Sequence, residues 1–283
     1  MACWRWSCLV VALVLGAVSP AVQPSEAGEP RTALVIGNAT YQSAPLRNPV
    51  NDARAMAKTL TGMGFDVLIH ENANEKTLKQ AIGEFGDRLR KGGVGLFYYS
   101  GHGMQVKGNN YLVPVDADIR SEAQVGLGAV NVNDVLGQME EARNRINIVI
   151  LDACRDNPFA RRFRTAARGL ASIDAPKGTL IAYATAPGSV ADDGSGANGL
   201  YTEELLKAMS VPDRKIEDVF KQVRVGVSQR SGSKQIPWES TSLSDDFYFA
   251  GGERRDPGPA GPERRPEPPL RQADRQEIGR AHV

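Results

Sequence analysis

Residues 94–103 read VGLFYYSGHG, and residues 145–159 read RINIVILDACRDNPF. Each holds a short, continuous apolar run that stops at a polar turn, the pattern of a strand covered on both faces. Each run also ends close to a reactive side chain. His102 follows the first, and Cys154 follows the second, 52 residues later.

Working outward, apolar runs alternate with helical patterns. Strands are predicted at Thr32–Ile36, Phe65–Ile69, Val94–Tyr99, Ile146–Leu151, Thr179–Ala184 and Asp246–Phe249, with a short hairpin arm at Tyr111–Val115. Helices are predicted at Val50–Leu60 behind Asn48-Pro49, at Glu75–Leu89, at Val132–Met139 behind Asn131 or Asn133, at Leu200–Met209 and at Ile216–Gln229. In Glu75–Leu89 the apolar positions 78, 82, 85 and 89 keep close to the 3.6 period. The alternation gives an α/β fold, a three-layer sandwich with a mostly parallel central sheet and helices on both faces. Sites in such sheets lie beyond the carboxyl ends of the strands. Parallel strands would therefore bring His102 and Cys154 to the same edge.

The ends of the chain read differently. Residues 1–21 have a positive start and an apolar run of about 12 residues, which fits a signal peptide and is short of the ~20 residues of a membrane span. Residues 22–30 read as a polar spacer, 31–250 as the globular domain and 251–283 as a disordered tail rich in Pro, Arg and Glu. The expected location is exported, periplasmic or secreted, with no stable membrane span once the leader is removed. Cys3 and Cys8 would leave with the leader, so no internal disulfide framework is expected. The formal net charge is +1 with acids and bases mixed, which argues against a nucleic-acid partner. Three histidines and one remaining cysteine show no zinc-ligand spacing.

Read alone, Cys154 fits a buried inert thiol as well as a reactive one, and His102 fits a core or capping histidine. Together they fit nucleophilic catalysis, with the imidazole taking the thiol proton or stabilising the thiolate. Gly101 and Gly103 flank His102; glycine permits positive φ and close approach of substrate. The amides of Gly103 and Cys154 are the candidate oxyanion donors. His70 and His282 have no partner that the sequence identifies.

The chain resembles the caspase/metacaspase family of cysteine peptidases. RTALVIGN, LRNPVNDARAMAKTLTGMGFDV, YYSGHG, LDACRDNP, YATAPGSVADD, NGLYTEELL and QIPWESTSL carry the resemblance across nearly all of 31–250. It implies His102 as general base and acid and Cys154 as nucleophile, acting through a thioester with no metal or organic cofactor. The alternative is a non-catalytic module that keeps the fold and binds a partner peptide; a Cys-His transferase is a third reading.

The sequence departs from animal caspases at specificity positions. Asp152 stands where those enzymes have Gln, and Leu46 where they have Arg. LRNPVND looks instead like the metacaspase pattern. Asp152 first, then Asp52, then Asp192 or Asp193 become candidates to hold a P1 Arg or Lys of a protein or peptide substrate. Many metacaspases have an acidic, calcium-linked segment after GHG. Here that segment has a single carboxylate, Asp116, at its end, so calcium is not expected there. Residues 155–178 carry Arg155, Arg161, Arg162, Arg164 and Arg168 and are expected to form an exposed loop open to self-cleavage. The sequence leaves the oligomeric state open.

Overall fold

The structure is a computed structural model and describes residues 28–153, 169–187, 189 and 196–251. The leader, the tail from 252, Cys154, the arginine-rich stretch 155–168, Asp192, Asp193 and His282 lie outside the described residues.

Two strands form the centre of the sheet. All seven residues of Val94–Ser100 and all seven of Ile146–Asp152 are buried, as strands covered on both faces require. In chain order the strands are β1 (Arg31–Gly37), β2 (Asp66–Glu71), β3 (Val94–Ser100), β4 (Gly103–Val106), β5 (Asn109–Leu112), β6 (Val130–Asn131), β7 (Ile146–Asp152), β8 (Thr179–Tyr183) and β9 (Trp238–Thr241). The helices are α1 (Pro49–Gly62), α2 (Glu75–Leu89), the single turn α3 (Val125–Gly128), α4 (Val132–Ala142), α5 (Leu200–Met209) and α6 (Ile216–Arg230). The main sheet runs β2-β1-β3-β7-β8-β9, parallel except for β9. A small antiparallel sheet, β4-β5-β6, stands beside it.

Strand pleating sends alternate side chains to opposite faces. Tyr98 and Ser100 of β3 reach Thr202 of α5 and Asp52 of α1. Gly95, of opposite parity, lies against Leu89 of α2, which packs on α4. Helices therefore cover both faces, with α1, α5 and α6 together on one. α2 follows its sequence pattern: Leu78, Ile82, Phe85 and Leu89 are buried, and Asn74 caps it by accepting from the Thr77 N–H.

Two sequence expectations change, at Asn48 and at Asp246–Phe249, and one keeps its character with shifted bounds. Asn48 makes no capping bond; the first turn of α1 starts from Pro49, whose missing N–H costs nothing there. The arm expected at 111–115 is a hairpin, β4 with β5, turning through Lys107 and Gly108 at φ 51° and 80°. Asp246–Phe249 is not a strand. Phe247 and Phe249 are buried, which mimics period-two alternation, but only one bridge forms, Lys215 with Tyr248. The Arg31 guanidinium takes the carbonyls of Tyr248 and Phe249 and lies over the rings of Phe65 and Phe247. A side chain thus occupies the acceptors that a ladder would need. The edge strand is β9 instead.

Candidate active site

β2 lies on one side of β1 and β3 on the other, so the strand order reverses between β1 and β3. Crevices at such a reversal open beyond the carboxyl ends of the strands. Ser100 pairs with Asp152 at the ends of β3 and β7, and the Gly101 N–H donates to the Asp152 carbonyl at 3.3 Å. His102 follows directly.

His102 is 2% exposed. Its Nε2 lies 2.7 Å from the carbonyl oxygen of Ala44. A carbonyl can only accept, so Nε2 carries a proton, and in the neutral ring Nδ1 then carries the basic lone pair. The ring of Tyr41 packs on the imidazole with centroids 4.4 Å apart. Ala44 sits at φ 55°, a left-handed conformation that disfavours residues with a Cβ. Strain of this kind persists where surroundings over-determine it. Nothing in the sequence marked Ala44, because its contribution is a backbone carbonyl.

Gly103 opens β4 and faces the end of β7. A Cβ added there would lie 2.8 Å from the Ala153 carbonyl oxygen and 3.1 Å from both the Ala153 Cβ and Leu170. Cys154 follows Ala153 immediately and is outside the described residues. The histidine segment and the strand leading to the cysteine are therefore in contact through a glycine. Neither Gly101 nor Gly103 has positive φ. Positive φ is therefore not the reason for either glycine; each is instead closely approached by atoms of the protein itself. At Gly101 a Cβ would meet the hydroxyls of Tyr41 and Tyr99, both at 2.7 Å.

Two of the candidate pocket carboxylates come together on the α1/α5 face. Asp52 is 0% and Asp152 1% exposed. Asp52 Oδ1 accepts from the Gly199 N–H at 2.8 Å and from Asn198 Nδ2 at 3.0 Å, and Oδ2 accepts from the Ser100 hydroxyl at 3.2 Å. Gly199 is the N-cap of α5, where backbone donors point out of the helix and favour an anion. Asp152 Oδ2 accepts from the Thr202 hydroxyl at 2.8 Å. That hydroxyl has one proton, so it accepts in turn from Tyr98 at 2.5 Å. Burial, and then the charges of Asp52 and Asp152, hold the Tyr98 phenol well above its usual pKa. It remains a donor. Ser100, Thr202, Asn198 and Gly199 were not foreseen; the signal that could have raised the last three is the helix start at 198–202. Asp192, the third candidate, is outside the described residues. His70 lies on the outer strand β2 beside Ile36, two strands away from His102.

Residues 30–248 match the family model described as Peptidase_C14, caspase domain. The chain is 31% identical over 223 residues to the human mucosa-associated lymphoid tissue lymphoma translocation protein 1, covering 76% of this chain and 26% of that protein. It is 32% identical over 199 residues to the mouse homolog, covering 68% and 23%. The chain thus spans about a quarter of the length of the curated relatives it matches.

Proposed function

Because the chain belongs to the Peptidase_C14 caspase-domain family, we propose that it is a cysteine endopeptidase cutting protein substrates after Arg or Lys. The observation that carries this reading is the committed tautomer of His102, in a segment that touches the residue before Cys154. In the proposed reaction Nδ1 takes the proton from Cys154 Sγ, and the thiolate adds to the scissile carbonyl. The N–H groups of Gly103 and Cys154 receive the oxyanion. The imidazolium then protonates the leaving amine. A water deprotonated by His102 hydrolyses the thioester and restores the thiol. Ala44 stabilises the imidazolium throughout by accepting from Nε2–H.

The two carboxylates, Asp52 and Asp152, support a cationic P1 residue because paired negative charge at this end of the sheet attracts a cation and repels an anion. Asp152 is assigned to that contact ahead of Asp52, whose oxygens tie together α1, α5 and β3. An acidic P1 residue in the same place would meet like charge in a desolvated pocket, costing several kcal/mol, to order of magnitude. Asp192 and the leader 1–21 enter the proposal only as the sequence has them: a rim contributor and an export signal.

The test uses the full chain on peptides varied at P1. Cys154→Ala and His102→Ala should each lower turnover by several orders of magnitude. Asp152→Asn should reduce kcat/KM for P1 Arg at least 100-fold while leaving the fold intact. The structure rules out charge reversal as a clean version of this probe, because a lysine there would bury an uncompensated cation beside Thr202. Near-native turnover by Cys154→Ala, or cleavage by the native chain after Asp, would overturn the proposal. Rapid alkylation of Cys154 that depends on His102 separates an enzyme from a peptide-binding module.

A further inference from the structure

The imidazole is fixed through Ala44, but the backbone of His102 is fixed separately, and two phenols hold it. The His102 N–H donates to the Tyr41 hydroxyl at 2.9 Å. On the other side, the His102 carbonyl accepts from the Tyr99 hydroxyl at 2.9 Å and from the Val113 N–H at 3.0 Å. The Tyr41 hydroxyl in turn donates to the Val113 carbonyl at 3.2 Å and lies 3.2 Å from the Tyr99 hydroxyl. Both rings are buried. Tyr41 belongs to a small second core with Met104, Val113 and Ile119, under the β4–β5 hairpin. Its hydroxyl reaches from that core to the site.

Tyr41 and Ala44 share one loop. That loop is closed by the N–H groups of Tyr41 and Leu46, both donating to the Ala39 carbonyl, and is pinned by Asn72, whose Oδ1 accepts from the N–H groups of Ala39 and Thr40. One braced loop therefore grips His102 at two atoms, the backbone nitrogen and the ring Nε2. From this geometry we propose that Tyr41, braced by Tyr99, is a positioning residue for the His102 imidazole. The proposal rests on the peptidase reading for its kinetic consequence but not for its structural one. The Tyr41 and Tyr99 hydroxyls share the Val113 carbonyl as an acceptor, at 3.2 and 3.0 Å, and act through hydrogen bonds to the His102 backbone, not on its ring nitrogens. The Tyr99 phenol is held well above its usual pKa, chiefly by burial and then by Tyr41, so it stays protonated. The brace also explains Gly101, since any side chain there would strike both hydroxyls.

Tyr41→Phe keeps the ring against the imidazole and removes only the hydroxyl. It should lower kcat about 10- to 100-fold, the scale for a misplaced catalytic group. KM should change less than about twofold, and the thermal midpoint should stay near that of the parent. The separating readout is the tautomer of His102, measured by ¹⁵N NMR of the ring nitrogens in the full chain. The native protein should show the Nε2–H form alone; Tyr41→Phe should show a mixture with Nδ1–H, as the hold of Ala44 loosens. Native kcat with a native tautomer would overturn the proposal, as would a loss of activity that appears wholly in KM with the tautomer unchanged. If the native chain cleaves no peptide, the peptidase reading fails while the tautomer still decides the brace. Should Tyr41→Phe not fold, Tyr99→Phe tests the other arm. Val113 still donates to the His102 carbonyl there, so a smaller shift of the same sign is expected, and no shift would refute the brace.

Discussion

Asp52→Ala separates a structural carboxylate from a substrate-binding one. The native side chain is fully buried and accepts from Gly199 N–H, Asn198 Nδ2 and Ser100 Oγ. The Gly199 donor is backbone at the start of α5 and has no rotamer by which to find another partner. The Asn198 amide and the Ser100 hydroxyl can turn. Each buried donor left without an acceptor costs about 1–3 kcal/mol, and hydrogen bonds to a charged group lie at the upper end. Relief of the carboxylate's own desolvation offsets part of this. The expected net loss is about 2–4 kcal/mol, which for a domain of this size lowers the thermal midpoint by roughly 5–15 °C. Asp52→Asn keeps one carbonyl oxygen for Gly199 and Asn198 and should lose less than half as much. Both variants are best melted in the Cys154→Ala background, followed by far-UV circular dichroism, so that self-cleavage cannot contribute. If Asp52→Ala melts within about 2 °C of its parent, the tie between α1 and α5 is not what holds this carboxylate. If it melts normally and also loses cleavage after Arg, Asp52 rather than Asp152 is the P1 contact.

Gly103→Ala should cost about 1–3 kcal/mol from the backbone clash with Ala153, yet lower kcat by roughly 100-fold, because the displaced atoms separate His102 from Ala153, the residue before Cys154; an active variant with a normal melt would show that the chain after β7 yields there. Far from the site, hydrogen bonds from Arg230 and then Lys207 hold the Glu203 carboxyl below its ordinary range. A depressed acid stabilises the fold above its unfolded pKa and loses that contribution as pH falls through the folded one. Because Glu203 is about a third exposed, the effect is small. Glu203→Gln should destabilise by less than about 1 kcal/mol at pH 7 and by nothing measurable at pH 2, and an equal penalty at both would refute the ion-pair origin.

What the sequence made legible follows from how local the physics is. α2 and α5 have the predicted bounds, because apolar spacing and adjacent turn residues set both ends within one segment. β3 and β7 are short apolar runs bounded by turn residues, and the covered sheet buries every residue of both. β9 was missed because its four residues are exposed or half-buried and have no apolar run; its pairing is dictated by β8. Phe247 and Phe249 misled for the complementary reason: local alternation was real, but a guanidinium 218 residues away from Phe249 had taken its carbonyl. The histidine and the cysteine position were legible as residues at strand ends. Asp52 and Asp152 were legible as acids in motifs, but not their different surroundings, which depend on Asp52 meeting a helix N-terminus 147 residues downstream.

The glycines around His102 show where a correct motif can rest on an incomplete reason. Positive φ and room for substrate are the usual grounds for glycine beside a catalytic residue, yet neither Gly101 nor Gly103 has positive φ. Phenol hydroxyls crowd one and the Ala153 carbonyl crowds the other. His102 is thus held between two packed walls, with its ring nitrogen on the Ala44 carbonyl and its backbone in hydrogen bonds on both sides. A substitution on either flank moves the imidazole before it unfolds the domain, since β1, β3 and β7 carry the core independently of this turn. Activity should therefore fail earlier than stability across the segment 100–103, and the ratio of the two losses at each position measures how far that wall positions the ring.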